Sequence, residues 1–119
     1  LLAFPQGRQL TFTCSTQLSL TQKVTVLGTR GRLEIPIPFN APADQQTMLI
    51  FDDGRDLAGG GREEIVIEPV DQYREQVDAF AEAVLSGSPL ETGLDDAIAN
   101  MKAIDALFRS ATSGRWEDV

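Results

Sequence analysis

The sequence predicts an α+β fold: a predominantly antiparallel open sheet of about six strands, with two C-terminal helices packed on one face. Three observations carry this. Up to residue 68 the chain breaks into short alternating or β-branched runs separated by Gly, Pro and Asp. From residue 69 to 116 the apolar spacing switches to threes and fours in two long stretches. Strands first and helices afterwards give an antiparallel meander with a helical cover rather than alternating parallel units.

In chain order, residues 1–4 form a short apolar run closed by Pro5-Gln6-Gly7, the residue types of a tight turn. Leu10, Phe12 and Cys14 then alternate with Thr11, Thr13 and Ser15, which predicts a half-covered strand with Cys14 as a small buried side chain. Residues 22–27, with Val24, Thr25 and Val26, read as the next strand. Gly28-Thr29-Arg30-Gly31 reads as a hairpin connection, after which Leu33, Ile35 and Ile37 return facing one way. Pro36 and Pro38 confine that strand to an edge or to its own end, because proline offers no ladder N–H. A loop containing Pro42 follows, then a strand over 47–51 turned at Asp52-Asp53-Gly54, where Asp-Gly signals a two-residue hairpin. Ala58-Gly59-Gly60-Gly61 is a flexible stretch, and residues 63–67 supply the last strand. The sheet face away from the helices is expected to be rich in Thr and Ser.

The helices follow from stripes and caps. Asp71 is placed to accept first-turn N–H groups, and Tyr73, Val77, Phe80, Ala81, Val84 and Leu85 make one apolar stripe that Gly87 terminates. In the second helix Thr92 can cap, and Asp95 and Asp96 complement the positive end of the dipole. Leu94, Ile98, Met101, Ile104, Leu107, Phe108 and Ala111 form its stripe, and Gly114 ends it. A connection this short predicts antiparallel helices on a common surface. Tyr73 reads as a core residue, and Trp116 as an anchor holding the tail on the body.

The bulk numbers limit function. At 119 residues the chain is expected to be one domain, 1–119, able to build a core without metals or disulfides. Net charge is −8, and it is unevenly placed: residues 1–60 hold five acids and five bases, residues 61–119 thirteen acids and five bases. An acidic helical face disfavours nucleic acid and anionic lipid as partners. No apolar run is long enough for a membrane span. One cysteine cannot form an internal disulfide, which fits a reducing, cytoplasmic setting. The chain has no histidine, which removes Ser-His and Cys-His catalysis and His-ligated zinc.

Remaining chemistry is thin. Gly28-x-x-Gly31 and Gly59-Gly60-Gly61 are the glycine clusters, and neither precedes a helix as a dinucleotide turn must. Asp52, Asp53 and Asp56 offer too few oxygens in too loose a spacing for a cation loop, and Glu63 and Glu64 alternate across a strand. The sequence starts Leu-Leu-Ala-Phe without methionine, so it is expected to be a segment of a longer protein.

Three blocks go further: Asp71-Gln72-Tyr73-Arg74-Glu75-Gln76-Val77-Asp78-Ala79-Phe80-Ala81; Leu94-Asp95-Asp96-Ala97-Ile98-Ala99-Asn100-Met101; and Ala106-Leu107-Phe108-Arg109-Ser110-Ala111, continued by Ser113-Gly114-Arg115-Trp116. With Val24-x-Val26-x-Gly28-Thr29-x-Gly31, Leu33-Glu34-Ile35 and Pro38-Phe39, the chain resembles the C-terminal part of the Gfo/Idh/MocA oxidoreductases, the glucose–fructose oxidoreductase and inositol dehydrogenase family. The resemblance implies a parent that is an NAD(P)-dependent oxidoreductase acting on a small molecule such as a sugar or polyol. It implies an N-terminal Rossmann domain, absent here, and an open sheet whose exposed face forms homo-oligomers. The family's dinucleotide glycines, its Glu-Lys-Pro lysine and its Asp-x-Gly-x-x-x-His pair would all lie upstream of Leu1. No catalytic, cofactor-binding or metal-binding residue is therefore assigned in this chain, and NAD or NADP is implied for the full-length parent alone. Ser15, Thr16 and Gln17 are the substrate-side candidates. A homodimer through the Thr-rich sheet face, burying about 800 Å² per partner, is expected. The alternative is a free-standing, non-catalytic interaction module derived from the same domain.

Overall fold

Alternation between residues 24 and 67 becomes a four-stranded antiparallel meander. Its strands are β3 (Val24–Gly28), β4 (Gly31–Ile35), β5 (Thr47–Asp52) and β6 (Arg62–Ile67), side by side in that order. A separate two-stranded ribbon precedes it, β1 (Leu2–Ala3) paired with β2 (Gln9–Leu10) across the 3₁₀ turn Pro5–Gly7. Two helices follow, α1 (Gln72–Ser86) and α2 (Leu94–Ser113). The computed structural model describes residues 1–90 and 92–119. The fold is α+β as expected, with the strands divided between two sheets rather than gathered in one. The chain forms two compact units, Leu1–Val70 and Asp71–Val119.

The division has a local cause. The alternation expected to run on through Cys14 stops pairing at Leu10, and residues 11–23 form no strand. This stretch is rich in Thr, Ser and Gln, whose side chains offer the backbone local partners in place of a ladder; Ser15 Oγ accepts from Gln17 N at 3.0 Å. Cys14 is consequently exposed, not buried.

Strand register sorts the side chains of the sheet. Val24 pairs with Ile35, Val26 with Leu33, Leu33 with Phe51 and Leu49 with Ile65, so these residues share one apolar face. Thr25, Arg32, Glu34, Ile50, Asp52, Arg62 and Glu64 occupy the other. That second face is charged, not Thr-rich: of the expected hydroxyls, Thr47 sits opposite Ile67 on the apolar side, and Thr11 and Thr13 lie outside any strand. On the charged face Ile50 and Asp52 of central strand β5 are buried, lying between the long side chains of β4 and β6.

The two connections at one end of the sheet differ. Gly28 pairs with Gly31, making the expected two-residue hairpin at Thr29-Arg30. Gly31 has φ 147°, and a Cβ there would lie 2.5 Å from the Asp52 carbonyl oxygen, so only glycine allows β4 to approach β5 this closely. The Asp53-Gly54 signal, by contrast, does not close a two-residue turn. Asp52 pairs with Arg62, leaving residues 53–61 as a longer loop. Asp52 Oδ1 accepts from Gly54 N at 2.8 Å and Asp53 Oδ1 from Arg55 N at 3.0 Å, so both carboxylates bend the chain locally instead of letting the ladder turn back.

In α1 the Asp71 carboxylate accepts from Tyr73 N at 3.0 Å and Arg74 N at 3.3 Å, and Gly87 closes the helix in the left-handed region. α2 ends in the same way at Gly114, whose N–H donates to Ser110 O at 2.9 Å. Its N-cap is Gly93 rather than Thr92; the chain enters extended through Gly93, and no side chain caps the helix. No residue of α1 is buried, and in α2 only Ala106 is. Tyr73, expected in a core, is 65% exposed, and Val77, Phe80, Ile98 and Phe108 are exposed as well.

Candidate functional site

Groove and loop ends lie at opposite ends of the sheet. At the end where β3 begins and β4 finishes, residues 11–23 and the loop after β4 enclose an open groove of about 830 Å³. One side chain joins its two walls: Gln22 Oε1 accepts from Phe39 N at 2.9 Å and Asn40 N at 3.2 Å. Pro36, Pro38 and Pro42 fix φ along the second wall, limiting the conformations that this hydrogen-bonded clip must hold. Thr13, Ser15, Thr21 and Asn40 offer hydroxyl and amide groups to the groove, while Leu18, Ile37 and Phe39 supply apolar surface. Such a lining suits a small neutral molecule carrying both hydroxyls and C–H faces.

Of the three substrate-side candidates, Ser15 lines this groove; Thr16 and Gln17 form the turn just beyond it and do not. The second wall, with Phe39 and Asn40, escaped sequence reasoning because it looks like an ordinary loop. The available signal was its proline spacing. Lys23 also borders the groove, but its ammonium is paired with Glu34.

At the opposite end, the Thr29-Arg30 hairpin and the adjoining ends of β3, β4 and β5 line a smaller recess of about 650 Å³, with Arg30, Gly31, Arg32 and Phe51 among its residues. The nearby carboxylates are committed to partners. Asp52 Oδ2 accepts from Arg32 Nη2 at 2.9 Å. Asp53 accepts from Arg55 Nη2 at 2.6 Å, and this guanidinium holds the Asp53 carboxyl below its ordinary range. Asp56 Oδ1 accepts from Gly60 N at 3.0 Å. Their oxygens bind separate donors, and among the described residues no group of three or more acids or cysteines is placed to hold a metal.

A dinucleotide fares no better on these residues. Pyrophosphate is held by free N–H groups at a helix N-terminus. In α1 those groups already bind the Asp71 carboxylate, and the first turn of α2 carries Asp95 and Asp96, which repel an anion. The described residues therefore do not fit a nicotinamide dinucleotide.

The tail after α2 folds back through polar contacts rather than through Trp116, which is 70% exposed. Arg109 Nη2 donates to Asp118 O at 2.7 Å, Ser110 Oγ to Arg115 O at 2.5 Å and Ser113 Oγ to Glu117 Oε1 at 2.8 Å. Among the described residues no helix is long and apolar enough to cross a membrane.

A family described as "Oxidoreductase family, C-terminal alpha/beta domain" matches residues 1–119. The chain is 42% identical over 118 residues to a protein of Rhizobium meliloti named as an uncharacterized oxidoreductase, covering 99% of this chain and 35% of that protein. It is 34% identical over 95 residues to a D-xylose 1-dehydrogenase (NADP(+)) of Haloferax volcanii, covering 79% of this chain and 27% of that enzyme. The chain thus spans about a third of the length of the curated relatives it matches. No solved structure matches it.

Proposed function

Because the chain belongs to the Gfo/Idh/MocA oxidoreductase family, as its C-terminal α/β domain, we propose that it forms the substrate-side and self-association portion of an NAD(P)-dependent dehydrogenase for sugars or polyols. The family match along all 119 residues carries this reading. The similarity to a D-xylose 1-dehydrogenase adds a polyhydroxylated substrate and a nicotinamide cofactor. In this reading the groove formed by residues 11–23 and the loop after β4 supplies one wall of the pocket. Ser15, Thr13 and Asn40 donate and accept hydrogen bonds with substrate hydroxyls, and Phe39 packs on a C–H face. The cofactor and the hydride chemistry belong to other parts of the protein. What this chain contributes is substrate orientation, which the Gln22 clip preserves by keeping the two walls in register. The charged face of the sheet is the self-association surface, and the protein works in the cytoplasm.

The test is activity of the intact protein with NAD⁺ or NADP⁺ and a panel of aldoses and polyols, read as formation of reduced nicotinamide. Activity with at least one panel member, and a KM raised about 3- to 20-fold by Asn40→Ala with kcat little changed, are expected from the loss of one uniform binding contact. No nicotinamide reduction with any panel member refutes the proposal.

A further inference from the structure

Among the described residues that line the groove, Lys23 is the only one carrying a formal charge; the others offer hydroxyls, amides, a thiol and apolar surface. It stands where the two walls meet, directly after Gln22, whose Oε1 joins them, and directly before β3. A free ammonium at that point would anchor an acidic substrate through a charge-assisted hydrogen bond. In this chain the ammonium is drawn to the sheet instead, where it forms an ion pair with Glu34 of β4. The Glu34 side chain is 19% exposed and that of Lys23 56%, so the carboxylate is the fixed member and the flexible lysine comes to it. The other cation near Glu34 is less well placed. Arg32 Nε lies 3.8 Å from Glu34 Oε1, and that guanidinium already donates to Asp52 at 2.9 Å.

We propose that Glu34 is a positioning residue that sets the charge class of the substrate: by holding the Lys23 ammonium at the sheet, it confines the groove to uncharged polyhydroxylated molecules and excludes their carboxylate analogues. An acidic sugar has two ways in, and both weaken its binding. Its carboxylate can lie beside Leu18, Ile37 and Phe39 without a cation, losing water that nothing replaces. Otherwise it draws Lys23 away, and the largely covered Glu34 carboxylate loses its nearest donor. A neutral hydroxyl meets neither cost. The inference rests on the substrate-side reading proposed above and adds the charge class of the substrate and the residue that selects it.

The test pairs each neutral sugar of the panel with the acid whose terminal CH₂OH is replaced by a carboxylate, a hexose against its uronate. Both are assayed with the intact protein and NAD⁺ or NADP⁺ in wild type, E34M and E34M/K23M. Wild type should favour the neutral member in kcat/KM. E34M keeps a side chain of similar length but offers the ammonium no acceptor. Lys23 is then free to meet the acid, and the acid-to-neutral ratio of kcat/KM should rise at least about fivefold, mainly through the KM of the acid. E34M/K23M restores the charge balance and should bring the ratio back to within about twofold of wild type. E34Q keeps the shape and weakens the hold, so it should move the ratio the same way by less, and it serves if E34M does not fold. An unmoved ratio, or a gain that survives in E34M/K23M, overturns the role of Glu34. A wild type that prefers the uronate overturns the neutral class. Titration calorimetry of the same pairs on the intact protein reads the same ratio as dissociation constants. Absence of any nicotinamide reduction thus refutes the dehydrogenase reading while the calorimetric ratio still decides this one, and binding of neither sugar of any pair refutes both.

Discussion

Adding one methyl group at Gly31 should cost the sheet several kilocalories per mole, whereas adding it three residues earlier, at Gly28, should cost almost nothing. The two glycines face each other across the same hairpin, so composition and pairing do not distinguish them. Geometry does. Gly31 has φ 147°, where an L-residue bears strain of about 1–3 kcal/mol. Its new Cβ would meet the Asp52 carbonyl oxygen at 2.5 Å, against ~3.5 Å for an ordinary nonbonded contact. The obstacle is backbone of the central strand, fixed by pairing with Arg62 and by the Arg32 ion pair on its own side chain. Moving it aside loosens at least one hydrogen bond of about 1 kcal/mol. Gly31→Ala should therefore destabilise by about 2–4 kcal/mol, moving a urea midpoint down by about 1–2 M at constant slope. At Gly28 the added Cβ would sit 3.4 Å from Gly31 O, an ordinary contact, and the change should stay within about 0.5 kcal/mol. Equilibrium urea unfolding followed by far-UV circular dichroism reads both. Equal effects at the two positions, or a Gly31→Ala midpoint at the wild-type value, would refute the close-approach argument.

Other perturbations follow from single contacts. Arg32→Met takes the guanidinium from the buried Asp52 carboxylate, which still accepts from Gly54 N, and should cost about 2–4 kcal/mol in the same unfolding assay. Asp71→Ala removes the acceptor for two first-turn N–H groups of α1 and should lower stability by about 1 kcal/mol, while Asp71→Asn should restore most of it. The Glu34 carboxyl is held below its ordinary range, first by the hydrogen bond from Lys23 and then by the charges of Lys23, Arg32 and Arg62, which together outweigh the opposing loss of water around it. A depressed carboxyl stabilises the fold above the unfolded value of about 4.3 and loses that contribution as pH falls through the lower folded value. Lys23→Gln should therefore flatten the acid limb of a stability–pH curve, and an unchanged limb would contradict the assignment. Gln22→Ala removes the Oε1 that accepts from the N–H groups of Phe39 and Asn40, and should make their amide hydrogens exchange faster without changing those of β5.

Much of this architecture was legible because it is local. Asp71, Gly87 and Gly114 mark helix ends by chemistry that acts within one turn, and the structure places each where the pattern put it. The Gly28–Gly31 hairpin is equally local. The misreadings share a different cause. The Asp-Gly pair at residues 53–54 looked like a hairpin because the sequence does not show that Asp52 is engaged by Arg32, twenty residues earlier, while turning the chain through Gly54 N. The strand expected through Cys14 met its period but found no ladder beyond Leu10. For the candidate groove, Ser15 was legible as a strand-end hydroxyl, whereas Phe39 and Asn40 were not, since they come to the site through Gln22, seventeen and eighteen residues away.

By itself, then, the sequence determined the α+β class, the helix ends at Asp71, Gly87 and Gly114, the apolar stripes and the family, because periodicity, caps and matched blocks all act over a few residues. Tertiary structure alone decided which face of the sheet is charged, why Gly31 must be glycine and which two segments wall the groove. Each of those depends on register between strands, and a shift of one residue would carry every side chain to the opposite face.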